Sequence, residues 1–180
     1  MTDRSAEITA RAAAKGLIVD PLPATIDRDT YTPALLGLLS NLLVWGGSRV
    51  FHHLHGVGTN EWRLISALGN HPGATAAELC GILGINKSVA SKSVNALLDR
   101  GMIEQLNGPR GSRFLYLTPE GAIVHDDFMP VALERQAILH ESLSVDEVRQ
   151  LNALLVRMLD AESSLQEYER RILSAPPPER

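Results

Sequence analysis

The stretch from Thr75 to Thr118 constrains the fold more than any other, because its hydrophobic period switches from helical to alternating within a short span. Thr75-Ala-Ala-Glu78 is a capping box, in which hydroxyl and carboxylate each satisfy an orphan backbone amide. The helix it opens is short, since Gly81 weakens it and Gly84 ends it. Asn86 caps a second helix, Lys87 to Arg100, closed by Gly101. Its inward stripe is Ala90, Val94, Leu97 and Leu98, while Ser88, Ser91, Lys92 and Asn95 lie three and four apart on the other side. Two extended runs follow, Met102 to Leu106 and Arg113 to Thr118, and Arg-Phe-Leu-Tyr-Leu-Thr alternates faces. The turn Asn107-Gly-Pro-Arg-Gly-Ser112 joins them into a β-hairpin tipped by an arginine.

The flanking chain reads as helix. Residues 5–16 suit a short helix ending at Gly16, and Pro21 and Pro23 break the chain after it. Thr32-Pro33 has the form of an N-cap with proline at the first helical position, opening a helix to His55. Another starts after Thr59 and ends near Gly69, before the turn His71-Pro72-Gly73. Thr118-Pro119 repeats the cap-plus-proline signal and opens a long helix to Glu141, bent at Pro130. Ser144-Val-Asp-Glu147 is a second capping box, and Val148, Leu151, Leu155, Met158 and Leu159 form the inward stripe of one last helix running to Leu173. The final residues, 174–180, read as a disordered tail.

At 180 residues the chain can bury a real core without a disulfide or metal staple, and its one cysteine, Cys80, has no internal partner. The N-terminus is charged throughout and lacks an apolar signal region, so a cytoplasmic setting is expected. Thr30 to Ser48 carries no charge over 19 residues, but its proline, glycines, serine and asparagine suit a bilayer poorly. Leu35, Leu38, Leu39, Leu42 and Leu43 instead predict a buried helix, with no membrane partner.

The net charge of −4 argues at first against nucleic acid, but its distribution argues for it. Residues 85–115 hold 5 basic and 2 acidic side chains (Lys87, Lys92, Arg100, Arg110 and Arg113 against Asp99 and Glu104), whereas residues 116–180 hold 6 and 12. A basic block inside an acidic chain is a local electrostatic footprint. It coincides with a helix whose outer face carries hydrogen-bonding groups and cations, narrow enough for a major groove roughly 12 Å wide. The arginine-tipped hairpin can reach the neighbouring minor groove, where a guanidinium is favoured, and Arg110 and Arg113 are placed for this. Helix, short helix, polar-faced helix and hairpin together make a winged helix-turn-helix.

The stretch from Gly58 to Leu159 resembles the MarR family of bacterial transcription regulators, through TNEWRLISAL, HPGATAAELCGILGINKSVASKSVNALLDRGMIE, RFLYLTPEG and ILHESLSVDEVRQLNALLVRML. The resemblance implies a mainly α fold with a small β-hairpin wing. The winged helix-turn-helix of residues 58–118 is flanked by a dimerisation domain of residues 31–57 and 119–173, and residues 1–30 form an N-terminal extension. It implies a homodimer on a roughly palindromic double-stranded operator, acting as a repressor released by a small-molecule effector. Thr75, Lys87, Ser88, Ser91, Lys92, Asn95, Arg110 and Arg113 are then the DNA-binding residues. One departure stands out: the family's wing carries Asp-x-Arg before its second strand, and here the positions read Gly111-Ser112-Arg113. The arginine matches and its bracing acid is absent, so Arg110 is a candidate for part of that role.

The resemblance also implies a ligand site beside the DNA-binding lobe, for which Trp45, Arg49, His53, Trp62 and Arg63 are the candidates. Trp45, Arg49 and His53 are spaced four apart on one helix face, and an aromatic wall beside a guanidinium suits a planar acid or an acyl thioester. The competing reading makes both tryptophans core residues. Cys80 reads as a small buried apolar residue rather than a redox sensor. His52, His53 and His55 at a helix C-terminus favour the dipole without a metal, so neither metal nor cofactor is expected. No nucleophile elbow, phosphate-cradling glycine loop or His-Glu-x-x-His motif is present, which predicts a non-enzyme. Two alternatives stay open: a dimeric winged-helix module that binds ligand or protein without specific DNA binding, and a metal-responsive regulator.

Overall fold

The structure, a computed structural model, describes residues 3–177, with only the backbone given for residues 3 and 4. Among the described residues eight α-helices and one hairpin follow in the order α1 (Asp3–Ala14), α2 (Thr32–His55), α3 (Thr59–Asn70), α4 (Ala76–Leu83), α5 (Lys87–Asp99), β1 (Ile103–Asn107), β2 (Arg113–Leu117), α6 (Pro119–Leu139), α7 (Val145–Leu159) and α8 (Glu162–Ser174). The fold is mainly α with a hairpin wing. The chain divides into two compact units, Met1–Arg63 and Leu64–Arg180, with the boundary inside α3.

In the first unit α2 is 24 residues long and almost unbroken by charge. Its N-cap is Tyr31, in an extended conformation with no side-chain bond, so the Thr32-Pro33 signal lies one residue inside the helix rather than at its cap. Gly56 ends it at φ 64°, donating its amide to the His52 carbonyl. Phe51 and Trp62 are buried together, ring centroids 5.6 Å apart, and the Thr59 hydroxyl donates to the Val44 carbonyl at 2.9 Å. The leucines at 35, 38, 39, 42 and 43 do not make a buried helix: all five are exposed. By length and composition α2 could cross a membrane, and only 11% of its most apolar window is buried. Among the described residues nothing covers the stripe.

The second unit has a continuous core. Ile65 and Leu68 of α3, Leu79 of α4, Ala90, Val94 and Leu97 of α5, Met102, Ile103, Leu115, and Val124 and Phe128 of α6 are all buried. Leu98, expected in the same stripe, is only half-buried, and Ser93 takes an inward place instead. The hairpin is antiparallel, with Ile103 opposite Leu117 and Asn107 opposite Arg113. The turn before α4 adds to it: the Gly73 amide donates to Leu115 and the Leu115 amide to Ala74, so the wing is tied to the start of the helix-turn-helix. The Thr118 hydroxyl donates to the Gly101 carbonyl at 2.7 Å and accepts from the Gly121 amide. Gly121 must be glycine here, because a Cβ would run into the Met102 carbonyl.

Helix α6 runs without interruption through Pro130. The single last helix read from sequence is two. At Asp160 and Ala161 the backbone bonds tighten to the carbonyls of Arg157 and Met158, three residues back, and α8 starts without a side-chain cap. The predicted inward stripe is not buried either: Leu151, Met158 and Leu159 are exposed, and Val148 and Leu155 are half-buried. Ser174, expected in the tail, belongs to α8, and residues 178–180 of the expected tail lie outside the described residues.

Candidate nucleic-acid interface

Helices α4 and α5 are positioned by their caps. The Thr75 hydroxyl accepts from the Glu78 amide, and the Glu78 carboxylate accepts from the Thr75 amide at 2.8 Å and from its hydroxyl at 2.9 Å. These bonds, the backbone one foremost, hold the Glu78 carboxyl below the usual carboxylate range. The Asn86 side chain accepts from the Val89 amide at 2.9 Å and starts α5 at Lys87. Burial of Ala90, Val94 and Leu97 then fixes the rotation of α5 and leaves Lys87, Ser88, Ser91, Lys92 and Asn95 on the exposed side.

Between α4, α5 and the wing lies an open trough of about 540 Å³. Five of the eight candidate residues line it: Thr75, Lys87, Ser91, Asn95 and Arg113. Lys87, Ser91 and Asn95 are one turn apart along the edge of α5 that faces the wing. Ser88 and Lys92 form the adjacent exposed stripe, outside the trough, and Arg110 stands exposed at the wing tip. Thr75 is half-buried with its hydroxyl already committed to the cap, so it shapes the trough wall more than it offers a free group.

Cys80, Gln105 and Ser112 also line the trough, and sequence reasoning had not placed them there. Cys80 is half-exposed and not a core residue. The available signal was spacing: Ala76, Ala77 and Cys80 fall three and four apart, on the face of α4 turned to the trough. Neither wing arginine has a carboxylate partner among the described residues. With cations on both sides of an apolar floor that includes Ala90, Val94 and Leu115, the trough suits a polyanionic rod with an apolar edge.

The ligand candidates separate. Trp62 is 8% exposed and tilted against Phe51, a core residue of its unit, whereas Trp45 is 68% exposed. Arg49 and His53 continue the exposed stripe of Trp45 along α2, and Arg63 is half-buried.

A family model of the MarR family matches residues 55–113, the span that holds the helix-turn-helix and most of the wing. The HTH-type transcriptional regulator PetP of Rhodobacter capsulatus is 26% identical over 108 residues, 59% of this chain and 65% of that protein. The match thus spans just under two thirds of that relative's length. The crystal structure of a MarR/EmrR family transcriptional regulator from Acinetobacter sp. ADP1 superposes with a TM-score of 0.72 at 27% identity, covering 77% of this chain and 99% of that one. The S. aureus MepR–DNA complex shares the fold, with a TM-score of 0.66 at 17% identity over 75% of this chain and 99% of that one.

Proposed function

This chain belongs to the MarR family of winged-helix regulators, and from that premise we propose that it is a homodimeric repressor of transcription that binds a near-palindromic duplex. The trough carries the reading. It sets Lys87, Ser91 and Asn95 opposite Arg113, with Lys92 and Ser88 on the next stripe of the same helix. Helix α5 enters a major groove on the exposed stripe, and the trough receives the sugar-phosphate strand that separates that groove from the minor groove under the wing. Such a protein acts by binding and catalyses nothing; its setting is the cytoplasm.

The second copy is the natural cover for the apolar stripes. Exposed Leu35, Leu39 and Leu42 on α2, and Leu151, Met158 and Leu159 on α7, form faces that water tolerates poorly and that a homodimer buries. The helices of residues 31–57 and 119–173 supply that interface. Two lobes then meet successive major grooves about one helical turn apart. The effector is a small planar acid held on the Trp45–Arg49–His53 stripe, with Arg63 as a second cation. Quenching of the exposed Trp45 on titration with aromatic carboxylates, lost in Trp45→Phe, would test that part.

The deciding experiment is selection of short duplexes from a random pool by the purified chain at two salt concentrations. A palindrome enriched at both salts, more weakly at the higher, is expected. No enrichment at either salt would overturn the reading and leave a winged-helix module that binds protein or ligand.

A further inference from the structure

Strand β1 breaks its own pattern at one place. Successive side chains of a strand alternate, so Ile103 and Gln105 share one face while Glu104 and Leu106 point the other way. Ile103 is buried, and Leu115, the partner of Gln105 across the hairpin, is completely buried. The alternation calls for an apolar side chain at 105, and the sequence places a carboxamide there, half-buried. A polar side chain set against the local pattern asks for a use.

Nothing among the described residues supplies one. The Gln105 side chain neither donates nor accepts a hydrogen bond there, although its nitrogen carries two donors and its oxygen two acceptor sites. No buried side-chain polar atom among the described residues lacks a partner, so the Gln105 amide is not sealed in the core. Its end opens into the trough that the residue lines. Strand β1 packs against α5 and pairs with β2, which puts Gln105 between Asn95 on one wall and Arg113 on the other. Lys87 and Arg113 are exposed at the rims, and the less exposed Gln105 belongs to the floor.

Resting on the DNA-binding reading above, we infer that Gln105 is a further DNA-positioning residue, whose amide donates to a phosphodiester oxygen of the strand lying in the trough. The rim cations attract a strand from a distance and lose strength with salt. A neutral donor on the floor has no such reach and acts only when an oxygen arrives within about 3 Å. It therefore fixes how deep the strand sits and in what register, without adding to the sequence-blind attraction. A lysine at this place would hold any duplex more tightly, and a leucine would offer the oxygen nothing.

The test takes the palindrome selected by the wild-type chain and measures affinity across a range of salt for three full-length variants. Gln105→Leu nearly keeps the volume and removes the amide. Affinity is expected to fall about tenfold at every salt with the slope unchanged. Its thermal midpoint should stay at or above wild type, because an unpartnered amide has left an apolar surface. Gln105→Lys puts a charge at the same place and should steepen the salt slope by about one unit per phosphate contacted. Leu106→Lys adds that charge one residue along, on the opposite and exposed face, and should leave the slope as in wild type. Full affinity in Gln105→Leu, or a Gln105→Lys slope no steeper than that of Leu106→Lys, would overturn the assignment. So would a Gln105→Leu that melts several degrees early, since the residue would then belong to the scaffold of the lobe. A wild type that selects no palindrome at all would sink the DNA-binding reading itself, a result separate from any of these.

Discussion

The helix-turn-helix with its wing and the long helix α2 are both well formed, yet they answer the question of burial in opposite ways. In α5 every third or fourth residue is buried and the exposed ones, Lys87, Ser88, Ser91, Lys92, Asn95 and Asp99, are all polar, so the helix has one inside and one outside within its own chain. In α2 the apolar stripe is complete but faces outward, and Leu42 is 64% exposed. The first region is finished by its own sequence; the second leaves its apolar face open among the described residues. An amphipathic pattern states that a face will be covered and does not state by whom.

The sharpest way to break this comparison is Leu42→Glu. On an isolated surface such a change would fall within about 0.5 kcal/mol of neutral. On a dimer interface it places a charge in an apolar contact. Sedimentation velocity should then show a monomer, and affinity for the selected palindrome should fall by about 10²- to 10⁴-fold as the second half-site is no longer tethered. A variant that stays dimeric with full affinity would remove α2 from the interface.

The complementary change is Phe128→Ala in the self-contained core, where the ring is completely buried. The cost should be about 3–5 kcal/mol, read in chemical denaturation of the full chain. The loss should appear in the unfolding of the lobe at any protein concentration. Leu42→Glu should instead move the concentration dependence of the transition. If both variants shift the same transition equally, the contrast between a finished and an unfinished region is wrong.

Lys92→Ala probes the polar side of α5 and should act more gently. Lys92 lies outside the trough, on the stripe beside it. If it meets a phosphate, affinity should fall several-fold on all duplexes and the salt slope should flatten by about one unit. If it reads guanine, the loss should concentrate on sites carrying that base. Unchanged binding on every duplex would take Lys92 out of the interface.

How much of this was readable from residues alone follows the same divide. Caps at Thr75, Asn86, Thr118 and Ser144 act within four residues of themselves, and all four stand where local chemistry puts them. The hairpin followed from extended runs on either side of a short turn, although its first strand is Ile103–Asn107 and not Met102 to Leu106. Tyr31 as a cap and the break at Asp160 carry no side-chain signature, because backbone bonding alone sets them. The trough escaped because its wall joins Cys80 to Gln105 and Arg113 across three elements, and no local period encodes that meeting. Trp45 and Trp62 looked equivalent in sequence; only one of them found Phe51. The outward turn of α2 and α7 was invisible for a further reason: an exposed apolar stripe has the same spacing as one that faces its own core.

The smallest predicted effect uses a device that the lobe shares with α7, whose apolar stripe is open like that of α2. Glu78 caps α4 in the lobe, and Glu147 caps α7 with the same pattern of bonds to Ser144. Both carboxyls are held below the usual range: Glu78 by the backbone amide and then the hydroxyl of Thr75, Glu147 by the hydroxyl and then the backbone amide of Ser144. A lowered folded value means that each contributes stability above the unfolded value, near pH 4.3, and loses it as pH falls through the folded one. Glu78→Gln and Glu147→Gln should each flatten the acid limb of the stability curve slightly. The comparison predicts where the flattening shows. For Glu78→Gln it should appear in the unfolding of the lobe and be independent of protein concentration. For Glu147→Gln it should appear in the concentration-dependent transition, because α7 has little else within its own chain to hold it. Equal effects on one transition would mean that α7 is as self-sufficient as α4.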